Sequence, residues 1–198
     1  DYAAVANLKW AALRAAFDKF GSDATAERRA DFEKFRSERG SLLSRFASFE
    51  VLRHGFAGPW WEWPEDWRQP NDEQCTHLRD GVEGREIEFV EFVQWTADRQ
   101  LQSCKDLAHR LGMKVGLYLD VAVGVQSDGF DAWNEQNAIS RGLSVGAPPD
   151  QLNTAGQNWG LAGFNAAGLE ASEFAPFREM LRASMRFAGA IRLDHVLV

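Results

Sequence analysis

Two strand-like segments that each end at an aspartate constrain the fold of this chain most. Residues 113–120 form a mostly apolar run that closes on Asp120, and the apolar segment 190–193 is followed directly by Asp194. A helical pattern lies between the two segments. Catalytic side chains of a (β/α) barrel lie at the carboxyl ends of its strands. The pattern therefore predicts consecutive βα elements of an α/β fold, with Asp120 and Asp194 at its functional edge.

Hydrophobic periodicity predicts that the first part of the chain is mainly helical. Apolar residues recur at spacings of three and four, which marks the buried stripe of an amphipathic helix. Gly21 and Gly112 follow two of these stretches and are expected to end the helices. The predicted helices cover residues 8–20, 25–39, 42–56 and 85–111, with a short helical turn at 128–133 and a further helix from about 172 that ends at Gly189. Strands are predicted at 114–119 and 190–193, and a long glycine-rich loop over about 140–165.

Charge and cysteine content limit the classes of partner. The chain of 198 residues has a net charge of −7 and an isoelectric point near 5.2, which disfavours nucleic acid and anionic membranes as partners. Two cysteines, Cys75 and Cys104, are too few for a disulfide framework and indicate a reducing compartment. The sequence shows neither a signal peptide nor an apolar run of membrane-spanning length. These features predict a cytoplasmic protein.

Several motifs, in a specific order, resemble those of the 4-α-glucanotransferases, the amylomaltases or disproportionating enzymes related to the α-amylases. The motifs are Asp1-Tyr2-Ala3-Ala4-Val5 with Lys9, the segment Gly116 to Gly124 around Asp120, Pro148-Pro149-Asp150, Gly156-Gln157-Asn158-Trp159-Gly160, and Arg192-Leu193-Asp194-His195. The resemblance covers most of the chain. It implies transfer of α-1,4-glucan segments between maltooligosaccharides by a retaining mechanism.

The same resemblance implies a partial (β/α)8 TIM barrel that carries a large, mainly helical insertion. Residues 1–111 correspond to the insertion and its final barrel-side helix, and residues 112–198 to a barrel segment with an active-site loop at about 140–165. The family segments with the acid/base glutamate and a second aspartate have no counterpart in the sequence. A complete barrel typically needs roughly 250 residues. The chain is therefore expected to be a central fragment that is inactive alone.

Asp194 is the predicted nucleophile, and Arg192 and His195 are predicted to bind substrate. Retaining glycosyl transfer uses one carboxylate as nucleophile and a second, protonated carboxyl as acid. Arg192 precedes Asp194 by two residues, so the two side chains share a strand face and the guanidinium would keep the carboxylate ionised. The alternatives are a structural ion pair at a strand end for Asp194 and a core histidine for His195.

Three further residues are predicted to bind substrate. Asp120 would accept hydrogen bonds from sugar hydroxyls or hold Arg192, and its alternative is an N-cap for the following turn. Asp150 and Trp159 would cover a bound glucan, because an indole offers an apolar face to a pyranose and a carboxylate accepts its hydroxyls. Trp159 could instead be a hydrophobic plug. The tryptophan-rich segment 59–67 favours a structural plug between helices over carbohydrate contact.

The implied partners are maltooligosaccharides or other α-1,4-glucans, as donor and acceptor, with no cofactor and no metal site. Two other functions stay open at this point. One is a noncatalytic helical or carbohydrate-binding fragment, and the other is an amylase-type hydrolase of α-1,4-glucans. Products distinguish the enzymes, since a transferase yields glucose plus longer oligosaccharides and a hydrolase yields only shorter sugars.

Overall fold

The computed structural model describes residues 1–193 and has the mixed α/β composition that the sequence predicts. The helices are α1 (Tyr2–Asp23), α2 (Ala26–Gly55), α3 (Glu65–Arg68), α4 (Asp72–Asp80), α5 (Gly84–Arg110), α6 (Phe130–Asn134), α7 (Ala166–Ala171) and α8 (Ala175–Met185), with a short 3-10 helix at Trp60–Glu62. The strands are β1 (Leu117–Val121), β2 (Val125–Gln126), β3 (Ile139–Ala147), β4 (Gln157–Phe164) and β5 (Ala188–Leu193).

The chain divides into two compact units. The helical unit consists of Asp1–Ala57 and Pro70–Arg99, and the sheet unit consists of Gly58–Gln69 and the residues from Gln100 onward. The sequence-based division after Leu111 follows the end of α5, whereas the contacts divide the chain within that helix. The tryptophan-rich segment therefore belongs with the sheets, although helical sequence flanks it on both sides.

An aromatic cluster forms the core of the helical unit. Its rings lie about 5 to 6 Å apart in tilted and edge-on pairs, the arrangement that aromatic quadrupoles favour. The indole Nε1 of Trp95 donates a hydrogen bond to Asp31 Oδ2 at 2.9 Å, so its buried polar atom is satisfied. The buried members of the cluster are Phe17, Phe20, Phe32, Phe35, Leu43, Phe89, Phe92 and Trp95.

The structure corrects the predicted helix end at Gly21 and confirms the predicted break near Gly40. Gly21 does not end α1, which begins at Tyr2 after Asp1 accepts a hydrogen bond from the Ala4 N–H and continues to Asp23. Gly40 interrupts α2 with φ 55° and ψ −141°, a conformation that glycine adopts without steric cost. The two helices predicted at 25–39 and 42–56 are therefore present, and they meet at a kink at Gly40.

Strands β1 and β5 pair in parallel, and α8 packs on both. Strand β1 lies slightly later than the predicted 114–119, and β5 begins two residues before the predicted start. Gly189 lies inside β5 instead of ending the preceding helix, which ends at Met185. A Cβ at Gly189 would overlap the Val115 carbonyl oxygen, so the close approach of these backbones requires glycine. Two parallel strands are compatible with a barrel segment but do not close one.

The loop predicted over about 140–165 is wrong as a secondary-structure assignment. Strands β3 and β4 pair antiparallel over much of this range, β2 pairs with the other edge of β4, and only residues 148–156 connect the long strands. Glycine favours irregular backbone in general, but in this sheet it has a different role. At Gly146 an added Cβ would lie 2.0 Å from the Gln157 carbonyl oxygen, so here glycine permits close strand pairing.

The tryptophan-rich segment is anchored to the sheet unit by indole hydrogen bonds. Trp60 Nε1 donates to the Ser127 carbonyl at 3.2 Å, and Trp133 Nε1 donates to the Trp67 carbonyl at 2.9 Å. Trp60 and Trp63 are buried, with 3% and 1% of their surface exposed. The two indoles are structural, as predicted, but they lie in the sheet unit, whereas the sequence predicted a plug between helices, and Trp61 is only half-buried.

Candidate active site

Asp120 and Arg192 form an ion pair at the adjoining ends of two parallel strands. The residues are partners in the register of β1 and β5, so their side chains lie on the same face of the sheet. Arg192 Nη1 lies 3.6 Å from Asp120 Oδ1, and the side chains are 48% and 70% exposed. An exposed pair of this kind contributes little to stability, with a typical value of about 0 to 1 kcal/mol. The pair instead places two polar groups at the solvent-facing end of the strands.

Asp194 and His195 lie outside the described residues. Arg192 and Leu193 are the last described residues before them, and Arg192 extends from β5 toward Asp120. The ion pair therefore marks the strand end from which the segment with the predicted nucleophile continues in sequence. The roles predicted for Asp194 and His195 stay predictions.

Asp150 organises the turn between β3 and β4. Its Oδ1 accepts hydrogen bonds from the backbone N–H groups of Leu152 and Asn153 at 2.7 and 2.6 Å. This is the local side-chain-to-backbone pattern by which aspartate stabilises turns. The side chain is exposed, so the second carboxylate oxygen has access to solvent. A sugar-binding role for Asp150 stays a prediction beside this structural one.

Trp159 lies on β4 and is half-buried. Its Nε1 donates a hydrogen bond to the Gln157 Oε1 of the same strand at 3.1 Å. The adjacent Asn158 Oδ1 accepts from Ser144 Oγ at 2.5 Å and from the Gly160 N–H at 2.9 Å. These bonds fix the strand around the indole, so Trp159 is presented from an ordered hairpin.

Only a short segment separates Asp120 from the small sheet that carries Trp159. Residues 122–124 join β1 to β2, and β2 pairs with β4. At Gly124 an added Cβ would lie 2.7 Å from the Ala162 carbonyl oxygen and 3.0 Å from Leu161 Cβ. The chain therefore packs closely on β4 as soon as it leaves β1.

Sequence reasoning missed the contribution of Arg141 to this unit. Its guanidinium carbon lies 4.4 Å from the ring centroid of Trp60 and 4.6 Å from that of Trp61. Adjacent tryptophans in the sequence signal an aromatic surface, but they do not indicate which cation covers it. That assignment depends on contacts between segments far apart in the chain.

Burial raises the pKa of two carboxyl groups in the helical unit, Glu91 and Asp98, and that of Asp131 in the sheet unit. Glu91 is 1% exposed and pairs with Arg36 at 2.8 Å and with Arg79 at 3.9 Å. Burial raises the pKa of Glu91, and the two guanidinium groups act in the opposite direction. Burial likewise raises the pKa of Asp98, against the effects of Arg39 and Arg99. Glu91 and Asp98 are enclosed by ion pairs within the helices and have a structural role there.

Residues 1–193 contain neither a membrane-spanning helix nor a cluster of metal-binding side chains. No helix in this range is both long and apolar enough to cross a membrane. Nor does this range hold a group of three or more histidine, cysteine, aspartate or glutamate side chains that could bind a metal ion.

Comparison with known proteins decides the family. A family model described as 4-alpha-glucanotransferase matches residues 1–198. The chain belongs to the 4-alpha-glucanotransferase family. The 4-alpha-glucanotransferase of Mycobacterium tuberculosis is 35% identical over 189 residues, which cover 95% of this chain and 26% of that protein.

Two solved amylomaltase structures resemble this family member. The amylomaltase from Corynebacterium glutamicum has a TM-score of 0.74 and 32% identity, over 96% of this chain and 24% of that one. The amylomaltase from Streptococcus agalactiae, solved in complex with acarbose, has a TM-score of 0.83 over 98% of this chain and 40% of that one. At 21% identity, the second match shows the fold alone. The chain thus spans between about a quarter and two fifths of the length of these relatives.

Proposed function

We propose that this 4-alpha-glucanotransferase family member is part of an enzyme that transfers α-1,4-glucan segments between maltooligosaccharides. The observation that carries the proposal is the Asp120–Arg192 ion pair at adjoining strand ends, two residues before Asp194, in a chain matched over its full length by the family model. The complex of the Streptococcus agalactiae amylomaltase with acarbose supports a carbohydrate as the ligand class.

In the proposed mechanism Asp194 is the nucleophile of a retaining double displacement. Its carboxylate attacks the anomeric carbon, the bond to the leaving glucan oxygen breaks, and a general acid protonates that oxygen. The 4-hydroxyl of an acceptor glucan then attacks the glycosyl-enzyme, gives its proton to the same group acting as base, and frees the carboxylate. The acid/base glutamate and a second, stabilising aspartate of this mechanism belong to family segments that we expect to have no counterpart in these 198 residues.

Arg192 and Asp120 would hold the reacting groups in place. The guanidinium is positively charged throughout the reaction and would keep a neighbouring carboxylate ionised, while Asp120 fixes the guanidinium and offers lone pairs to sugar hydroxyls. His195, Asp150 and Trp159 would bind the substrate. A covering hairpin that carries Trp159 would exclude water from the glycosyl-enzyme, which favours transfer over hydrolysis.

A barrel built from further βα units would complete the sheet unit. Tyr118 in β1 is 62% exposed, and Leu111 and Met113 before it are 71% and 50% exposed. Large apolar side chains beside a two-stranded sheet are the surfaces that neighbouring elements of a barrel would cover. Strands β1 and β5 would then be neighbours in a (β/α)8 barrel, and the helical unit would be its insertion. A cytoplasmic location fits the two unpaired cysteines.

Replacement of the nucleophile tests the proposal. In the full-length protein, Asp194→Asn should preserve folding and glucan binding but abolish the covalent glycosyl adduct, because an amide is isosteric and not a competent nucleophile. Intact-mass measurement after rapid quenching with an activated glycosyl donor detects the adduct. An adduct that persists in the variant, on another residue, would contradict the role of Asp194.

A further inference from the structure

Arg141 makes cation–π contacts with two neighbouring indoles at the start of an irregularity in β3. Its guanidinium carbon is within 4.6 Å of the ring centroids of both Trp60 and Trp61, and the two rings meet edge to face at 5.4 Å. Trp60 is buried and held by the Ser127 carbonyl, whereas Trp61 keeps part of its surface toward solvent. The guanidinium is therefore held in place by a rigid aromatic base.

The backbone at Arg141 leaves the ladder between β3 and β4. Ser140 pairs with Gly163 and Val145 pairs with Leu161, so residues 141–144 of β3 oppose the single residue Ala162. Such bulges re-aim side chains and recur next to functional sites. At the other end of this bulge, Ser144 Oγ donates a hydrogen bond to Asn158 Oδ1. Leu143, which lies between Arg141 and Ser144, is 76% exposed.

The hydrogen-bonding capacity of Arg141 is not used within the described part of the chain. Over residues 1–193 its side chain forms neither a hydrogen bond nor an ion pair, and the two indoles are its contacts. Arg141 is exposed. A guanidinium carries five N–H donors in a planar fork. A cation–π contact uses none of these N–H groups as a conventional hydrogen bond, so donors of Arg141 are available to a ligand.

We propose that Arg141 and Trp61 form a remote contact for long α-1,4-glucans. The donor fork matches two adjacent hydroxyl oxygens of a glucose ring, and the exposed part of the indole offers an apolar surface to the C–H side of the sugar. A neutral ligand fits this protein, whose net charge of −7 opposes anions in general. The inference rests on the proposed function and adds a contact outside the predicted catalytic residues.

The short chain segment between Asp120 and Ser127 limits the distance from the ion pair to the Arg141–Trp61 contact. Ser127, the anchor of Trp60, follows Asp120 by seven residues, so at most about 25 Å of extended chain separates them. A long glucan bound at Asp120 and Arg192 could span a separation of up to this size, whereas a sugar of a few glucose units could bind at the ion pair alone. The contact should therefore distinguish long donors or acceptors from short ones.

Binding measurements on the full-length protein test this contact. The background is Asp194→Asn, so that no turnover consumes the ligand, and calorimetry gives dissociation constants for maltotriose and maltoheptaose. Arg141→Met keeps an apolar stem on the indoles but removes every donor, and Arg141→Lys keeps the charge without the fork. Arg182→Met is the matched control, because this arginine of α8 is 71% exposed and pairs only weakly with Glu179 at 3.5 Å.

We expect Arg141→Met to weaken maltoheptaose binding about tenfold, the loss typical of one hydrogen bond from a charged donor, with maltotriose binding unchanged. Arg141→Lys should be intermediate and Arg182→Met neutral. Unchanged maltoheptaose binding, or equal weakening of both sugars, would overturn the proposal and leave the cation–π contact as a structural clamp. If the Asp194→Asn background binds neither sugar, the proposed function itself fails.

Discussion

At the scale of the residue, the exposed Asp120–Arg192 ion pair and the buried ion pairs of Glu91 differ in their effect on stability. Asp120 and Arg192 are 70% and 48% exposed, so water screens their attraction and their pairing stabilises the fold little. Glu91 is buried between two guanidinium groups, where removing one partner leaves an uncompensated charge. The exposed pair is accordingly the one that a substrate in solvent can approach.

Glu91 gives a pH-dependent prediction. Because burial raises its folded-state pKa, the native state binds more protons than the unfolded state between the ordinary and the raised pKa. The contribution of Glu91 to the free energy of unfolding is largest below the ordinary glutamate pKa of about 4.3. This contribution is lost as the pH rises through the raised pKa of the folded state. Glu91→Gln should therefore gain stability relative to wild type as pH increases across that window.

Urea denaturation of both proteins at a series of pH values measures this difference. Glu179→Gln is the control, because Glu179 is exposed and its contact with Arg182 at 3.5 Å is a surface pair. The stability difference for the control should stay flat. If Glu91→Gln instead loses stability relative to wild type as the pH rises, the attraction of the guanidinium groups outweighs the effect of burial on the pKa of Glu91.

At the scale of the element, the hairpin of β3 and β4 depends on close backbone contact at its edge. Gly124→Ala should destabilise the full-length protein by about 1 to 3 kcal/mol, because the new methyl group would lie 2.7 Å from the Ala162 carbonyl oxygen. Gly142→Ala in the same sheet is the control, since nothing lies within 4 Å of the added Cβ. Equal melting temperatures for the two variants would show that the backbone around Gly124 shifts to accommodate the methyl group at little cost.

The indole on this hairpin gives a prediction about reaction outcome. In the full-length enzyme, Trp159→Ala should lower the ratio of transfer products to hydrolysis products, because its loss admits water and removes a stacking surface. By analogy with base stacking, that surface is worth roughly 1 to 3 kcal/mol. Chromatography of products from maltotriose measures the ratio. An unchanged ratio with a sharply lower melting temperature would make Trp159 a structural plug.

At the scale of the whole molecule, the chain is predicted to contain the nucleophile but not the acid that must protonate the leaving group. The purified 198 residues should therefore release no glucose from maltotriose, since a nucleophile without its general acid leaves most of the barrier in place. The full-length enzyme, assayed in parallel, provides the positive control. Glucose release by the purified chain, free of contaminating enzyme, would show that it contains a complete catalytic set.

Local sequence patterns were sufficient to locate the long helices, the family motifs and the two strands that end near aspartates, but not the short helices α3, α4 and α7. Amphipathic periodicity is a local signal, so α1, α2 and α5 could be located closely even where Gly21 was misjudged. The motif around Asp150 and Trp159 identified the family but not the local structure. Its glycines are equally compatible with a flexible loop and with closely packed strands.

Long-range packing determined which distant residues meet. Asp120 and Arg192 are neighbours because β1 and β5 pair in parallel, and Arg141 covers Trp60 because the tryptophan-rich segment packs with the sheets. Strand pairing and cation–π contact depend on the closure of long stretches of chain, and no local pattern specifies the register in which they close. The residue types were therefore visible in the sequence, and their partners were fixed by packing.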